Sequence, residues 1–357
     1  MDLHVFDGKT GAHRRRLQFE KVSWQDSINE TGAISASVPG KLSEPVRPYA
    51  DIIAAIDGGT VLHAGYVHHS KWDAKTGIWS IDGGGGATIL ERRLVINHAL
   101  DAIWKDGQVL VDEGHPSGNW PLKLTGSYSD IISKLVRETL KFGALPIMPA
   151  AITGGDKERT YNSYDFAYVS DRIADLGDLA GGVEYRFDAS MSNGSISFSQ
   201  LTSADGGELV TNRWRANLAI ADPGIVLVDV DMDGRDMCTQ SYGSGGKDAD
   251  MLMVARSVSG KLAGRGWPVL QSANKSHTSI SVLSTLKGYL QADTACGDAT
   301  QDVYRVSADM TRYPMRVGDW LDLRTVDGDV LALKVTDVSG SDSSQMLDVQ
   351  CRERVGA

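Results

Sequence analysis

The chain has 357 residues, 41% hydrophobic, with 39 glycines, 10 prolines and a formal net charge of −10. That length implies two or three domains, and many glycines among short apolar runs point to a turn-rich β protein instead of a helical one. The acidic balance excludes a general nucleic-acid clamp, which needs basic patches against phosphate, and no run of about 18 apolar residues predicts a membrane-spanning helix.

Residues 1–46 read as β. Leu3 and Val5 alternate with His4 and Phe6, residues 7–11 form a turn, residues 17–24 predict a second strand, and residues 33–38 alternate up to Pro39 and Gly40. Residues 47–93 continue with strands over 51–56, 61–69 and 77–82, a tight Asp57-Gly58-Gly59 turn, and a glycine run at 83–86. The spacing predicts a further strand over 94–103, and residues 107–121 read as a loop leading into a different domain.

Residues 128–140 carry the clearest helical stripe: Tyr128, Ile131, Ile132, Leu135, Val136 and Leu140. Ser127 or Ser129 can cap its start and Gly143 can end it. A second helix is expected over 170–180, then a hairpin of 183–188 with 194–201 through Ser192-Asn193-Gly194. β character returns at 217–221, 225–232 and 251–257, with loops at 243–246 and 260–268 and a helix over 279–291. Strands over 303–310, 319–326, 330–338 and 346–352 close the chain. The divisions expected are 1–124 as a first barrel, 125–205 as an inserted α+β domain, 206–270 as a β segment completing that barrel or bridging, and 271–357 as a helix plus second barrel. The fold class is therefore mainly β, with two small antiparallel barrels flanking an α+β module.

Residues 319–354 echo residues 51–93. In each, an aspartate opens a strand, an Asp-Gly turn follows (Asp57-Gly58; Asp327-Gly328), and a long strand, a polar loop and a last strand end near arginines (Arg92 and Arg93; Arg352 and Arg354).

Candidate sites are few. Asp229, Asp231 and Asp233, followed by Gly234, match the start of a calcium loop, but Gln240 stands where the bidentate Glu belongs and the preceding run reads as a strand. A strand ending in an Asp-Gly turn is the simpler reading. The glycines at 83–86 lack the Lys-Ser/Thr of a phosphate loop and are read as permitting a sharp bend or close chain approach. His63, His68 and His69 do not converge as zinc ligands on an extended strand. Arg14-Arg15-Arg16 is read as a solvated strand end. Cys238, Cys296 and Cys351 are far apart, with no CxxC spacing, which fits folding in a reducing cytosol without a disulfide or zinc framework. Eight Trp suit core and interface packing, with sugar stacking as the alternative. No catalytic residue and no cofactor is expected, and the first ten residues do not read as a signal peptide.

The order of these parts resembles the phage minor tail proteins of the baseplate-hub, or tail-associated, type of siphophages. The resemblance rests on Trp24-Gln25-Asp26, on residues 32–39, on Arg47-Pro48-Tyr49, Asp57-Gly58 and Gly65-Tyr66-Val67, on Leu90-Glu91-Arg92-Arg93, and on the Val317-Gly318-Asp319 approach to the last strands. It implies a homotrimeric, non-enzymatic hub in the virion, assembled in the host cytoplasm. Its barrels would form a pseudo-six-fold ring beneath the distal tail protein, around a channel for tape-measure protein and DNA, with tail fibres or other tip proteins as further partners. An acidic chain suits a channel that must not hold DNA. The sequence stops at Ala357 after the second barrel, so the receptor-binding or wall-cleaving extension of many relatives is not expected. A host-glycan adsorption protein and a tail-associated wall hydrolase are the alternatives.

Overall fold

The computed structural model describes residues 1–103, 120–179, 181–248, 251–276, 280 and 282–354. The chain is mainly β. It begins with strands β1 (Asp2–Asp7), β2 (His13–Leu17), β3 (Lys21–Ser27), β4 (Ala33–Pro39), β5 (Asp51–Asp57), β6 (Thr60–Asp73) and β7 (Ile78–Gly84). An α+β module follows: β8 (Pro121–Gly126), α1 (Tyr128–Leu140), β9 (Ile147–Met148), β10 (Lys157–Asn162), α2 (Val169–Gly177), β11 (Tyr185–Ser192) and β12 (Ser195–Thr202). Next come β13 (Arg213–Asn217) and β14 (Ile225–Asp233). A small layer contains β15 (Gln240–Asp248), β16 (Met251–Val258), α3 (Lys261–Gly264), β17 (Gln271–Asn274) and α4 (Leu283–Cys296). The chain closes with β18 (Gln301–Asp309), β19 (Trp320–Arg324), β20 (Val330–Ser341) and β21 (Met346–Glu353).

The main sheet is built twice from one plan. Neighbours run β3-β4-β7-β6-β5-β1 in the N-terminal unit and β14-β18-β21-β20-β19-β13 in the C-terminal unit, with corresponding strands in the same chain order. The register repeats as well. Ile52 faces Tyr66 as Trp320 faces Lys334, and Val67 faces Gly83 as Val335 faces Cys351. A bulge interrupts each long strand at the matching place, between Val67 and His69 and between Val335 and Asp337. One difference is orientation: β1 meets β5 antiparallel, whereas β13 meets β19 parallel. The echo between 51–93 and 319–354 is thus part of a larger duplication.

The two units share one sheet and one core. Past its bulge, β20 leaves β19 behind and pairs with β3, from Asp337 opposite Ser27 to Ser341 opposite Ser23. At this seam Gly340 faces Trp24, and a Cβ on Gly340 would run into the indole. Beneath it Trp24, Ile34, Ile53, Val67 and Ile81 pack in one cluster with Val306, Leu321, Leu333, Val335 and Val349. Among the described residues the hydrogen-bonded path through both units runs from β14 at one end to β2 at the other.

β5 is buried on both faces, which explains its uninterrupted apolar run. Ile53 and Ala55 face the shared core. Ile52, Ala54 and Ile56 face a second core, where Tyr66 meets Phe198 and α1 and α2 contribute Ile131, Leu135 and Ile173. Those residues of β5 and β6 thus pack against the module of the same chain. The glycines serve close approach. A Cβ on Gly65 would overlap the Gly84 carbonyl, and one on Gly86 would overlap the Phe198 ring.

α1 spans the residues its stripe predicts, and the Ser127 hydroxyl accepts the Asp130 N–H at 3.1 Å. Asn193 and Gly194 take positive φ (50° and 73°) in the β11–β12 turn. Other expectations change. Residues 94–103 are not a strand: Leu94 makes an isolated bridge to Tyr168 and His98–Ile103 is a 3-10 helix, and among the described residues no strand offers this run a ladder. β13 ends at Asn217, where 217–221 was expected to begin a strand. Gly243–Gly246 lies inside β15, because β16 and β17 flank it and Gly243 makes room for Leu290 of α4. The helix expected over 279–291 runs from Leu283 to Cys296, set by Leu286, Leu290 and Thr294 on its buried side. Segment 206–270 divides: β13 and β14 pair within the C-terminal unit, and β15–β17 form a separate sheet. Within 107–121, residues 107–119 lie outside the described residues.

Candidate functional site

The two units and the module meet at a charged junction. Asp26 on β3 lies 3.0 Å from Nδ1 of His63 on β6. Arg186 on β11 donates through Nη2 to Asp188 at 2.8 Å, and its Nη1 donates to the Val317 carbonyl just before β19. Arg316 stands 3.6 Å from the same Asp188 and donates to the Val61 carbonyl at 3.3 Å. Glu30, Phe187 and Met315 are among the other residues that line a cavity of about 100 Å³ here. Burial alone would raise the Asp26 carboxyl. The adjacent His63, then Arg186 and Arg316, outweigh it and hold the group below the usual carboxylate range. One charge chain therefore links three parts of the sequence that are distant from each other.

A second junction centres on Lys334. Buried Lys334 of β20 pairs with Glu184 and stands 4.0 Å from Glu208. Glu184 also accepts the Leu209 N–H at 2.6 Å, and Glu208 accepts Trp320 Nε1 at 3.1 Å. Lys334 thereby ties the exit of the module to the C-terminal unit with its charge compensated.

The duplicated aspartates fix the two hairpins. Buried Asp319 accepts four donors: Thr211 Oγ1 at 2.6 Å, Asn212 N at 3.1 Å, Trp214 Nε1 at 2.8 Å and Arg316 N at 3.1 Å. Asp51 accepts Arg47 N at 2.7 Å and meets Arg14 Nη1 at 2.8 Å. In both units a backbone N–H just upstream is tied to the carboxylate that opens the strand.

The sequence candidates fall elsewhere. Asp229, Asp231 and Asp233 lie along β14, not in a loop. Arg305 of β18 stands 3.3 Å from Asp229 and 3.9 Å from Asp231, and Arg235 grips Asp233 and holds its carboxyl down at about 2. Among the described residues no group of three or more His, Cys, Asp or Glu is placed to hold a metal. His63 is buried in the junction, His68 is exposed, and His69 lies 3.2 Å from Asp82. Arg14, Arg15 and Arg16 pair with Asp7 and Asp51, Glu44, and Asp2 respectively. Trp24, Trp79 and Trp120 are buried, and Trp267 is exposed. The three cysteines are free thiols, and burial pushes Cys351 up to about 12. Arg186, Arg316, Glu184 and Lys334 went unnoticed in the sequence. Lys334 and Arg186 carried a signal there, each as a lone charge between two apolar residues, Leu333 and Val335 or Tyr185 and Phe187.

The sequence matches no described protein family and no curated protein. Its fold has solved counterparts. The chain is similar over 99% of its length to 98% of the 43 kDa tail protein of prophage MuSo2 from Shewanella oneidensis, with a TM-score of 0.60 and 11% identity. The fold is that of a phage tail protein. The tail protein of Neisseria meningitidis MC58 matches with a TM-score of 0.57 and 10% identity, over 98% of this chain and 96% of that one. Prophage tail protein gp18 of Listeria monocytogenes EGD-e matches with 0.51 and 10%, over 100% and 96%. The shared element is the backbone scaffold from end to end.

Proposed function

We propose that this chain is a structural component of a phage tail tip or baseplate, a hub without catalysis, carried in the virion after assembly in the host cytoplasm. Three copies form a ring of six similar units beneath the distal tail protein, joining tail tube to tip. The ring surrounds a channel for tape-measure protein and DNA, and fibres or other tip proteins attach around it. The observation that carries this reading is the duplicated six-strand unit, within a fold shared end to end with phage tail proteins. Two similar units per chain allow three chains to present six alike positions, so one ring can meet six-fold symmetry on one side and three-fold on the other. A net charge of −10 disfavours retention of DNA passing through. The test is electron cryomicroscopy of tail tips from particles in which this chain carries an affinity tag. A three-fold ring containing the chain supports the reading; tips that lack it, or hold a single copy off the axis, overturn it.

A further inference from the structure

We infer that copies of this chain join edge to edge, the second half of β6 in one copy adding as a strand to β14 of the next, in a register fixed by the β20–β3 seam within each chain. This deepens the ring reading and rests on it. The duplication makes β20 the counterpart of β6 and β14 the counterpart of β3. Inside one chain, β20 beyond its bulge pairs with β3. Among the described residues the counterpart joint is unmade: β6 beyond its bulge pairs with β7 on one side only, and β14 pairs with β18 on one side only. Each chain thus offers one free edge of each kind, which is the requirement for a head-to-tail interface.

The matched ladders give the register. Ser341 faces Ser23, Gly340 faces Trp24 and Ser339 faces Gln25 in the existing seam. Because Val335 matches Val67 beyond the common hairpin register, Ser339, Gly340 and Ser341 correspond to Lys71, Trp72 and Asp73. Trp24 faces Ile34 as Val230 faces Tyr304, so Ser23, Trp24 and Gln25 correspond to Asp229, Val230 and Asp231. The joint then sets Lys71 opposite Asp231 and Trp72 opposite Val230.

Both pairs suit each other. Lys71 and Asp231 have opposite charge and are both exposed. In the existing seam a small residue, Gly340, makes room for a large one, Trp24; in the new joint the large residue, Trp72, sits on the β6 side and the smaller Val230 on the β14 side. Asp73 falls opposite Asp229, whose charge Arg305 already meets at 3.3 Å. Val230 and Met232 share the face of β14 that lies beside core residue Tyr304, yet they are 42% and 67% exposed. Trp24, the counterpart of Val230, is 5% exposed because its seam is made. The uncovered apolar residues mark where the next copy lies, and Asp231, which Arg305 approaches only to 3.9 Å, is the aspartate of this edge that meets Lys71.

The test uses tail tips assembled from variant chains in a Cys296→Ser background, treated with a short bismaleimide. Lys71→Cys combined with Asp231→Cys is expected to yield cross-linked dimers and trimers, whereas each single variant and the out-of-register pair Lys71→Cys with Val226→Cys yield none. A charge exchange reads the same joint without cysteines: Lys71→Glu lowers the yield of assembled tips about tenfold and Asp231→Lys added to it restores the yield. A three-fold ring in the tips with no cross-link and no rescue overturns the joint and leaves the ring standing. Tips without any multimer of this chain overturn both.

Discussion

Asp26 is the residue on which the three-way junction turns, and its charge gives the junction a pH dependence of known sign. Its folded-state pKa lies below the ordinary value of 3.8, so it contributes stability above that value and loses it as pH falls through the lower folded one. Asp26→Asn is expected to cost about 1 kcal/mol at pH 7, a modest figure because the carboxylate is partly open to solvent. The gap to the unmodified protein should close below a pH of about 4 when urea midpoints are compared. Asp51 acts with the opposite sign: burial first, against the pull of Arg14, raises its carboxyl, so acid relieves a cost there. A gap that stayed constant down to acid pH would show that Asp26 holds the junction by shape and not by charge. Glycine contacts supply a second residue-scale expectation. A methyl on Gly65 meets the Gly84 carbonyl, backbone against backbone, and neither side can rotate away. Gly65→Ala is expected to cost about 3 kcal/mol. Gly260→Ala, which points into open space, should stay within about 0.5 kcal/mol in the same urea series.

Among the elements, the layer of β15–β17 and α4 stands apart energetically. Its own cluster is Ala255, Leu286 and Leu290, with Met253 and Ile280 at the margin, whereas β5 and β6 are buried between two large cores. Local opening follows buried apolar contact, so amides of β16 are expected to exchange with deuterium well before those of β5 and β6. Mass-spectrometric exchange on the intact chain measures this; equal protection would mean that the layer is coupled to the main sheet. The same contrast explains what could be read in advance. α1 was legible because its stripe and Ser127 are local signals, and the β11–β12 turn because Asn193 and Gly194 suit positive φ. Gly243–Gly246 was not, since a glycine run becomes a strand only when partners on both sides supply the ladder. Nor was the allegiance of β13 and β14, whose partners β19 and β18 lie far along the chain. The junction was hidden for the same reason: Arg186, Arg316 and Asp26 gain meaning only where three distant segments meet. The aspartates of β14 were legible as a strand running into an Asp233-Gly234 turn, because Gln240 stands where a calcium loop needs Glu; their partner Arg305, far along the chain, was not.

At the scale of the molecule, the seam between β20 and β3 makes the two units one folding body. Their side chains interleave in one cluster, and the N-terminal unit packs its other face on the module. Gly340 is the most sensitive point of the seam, because any side chain there meets the Trp24 indole. Gly340→Val is expected to destabilise the chain by about 2–3 kcal/mol, as overpacking does. Because both units lean on the seam, the loss should appear as one transition at a lower urea midpoint, with the same slope, by tryptophan fluorescence and by far-ultraviolet circular dichroism alike. Two separated transitions would mean that the units fold independently and only touch. Trp24→Ala in the same chain supplies the control. On its own it leaves a cavity and costs about 3–5 kcal/mol; combined with Gly340→Val it gives the valine room, so the double variant should lose less than the two single losses added. Coupling of that sign belongs to residues in direct contact. It would establish large against small as the rule of the seam, which is the rule that Trp72 and Val230 would follow between chains.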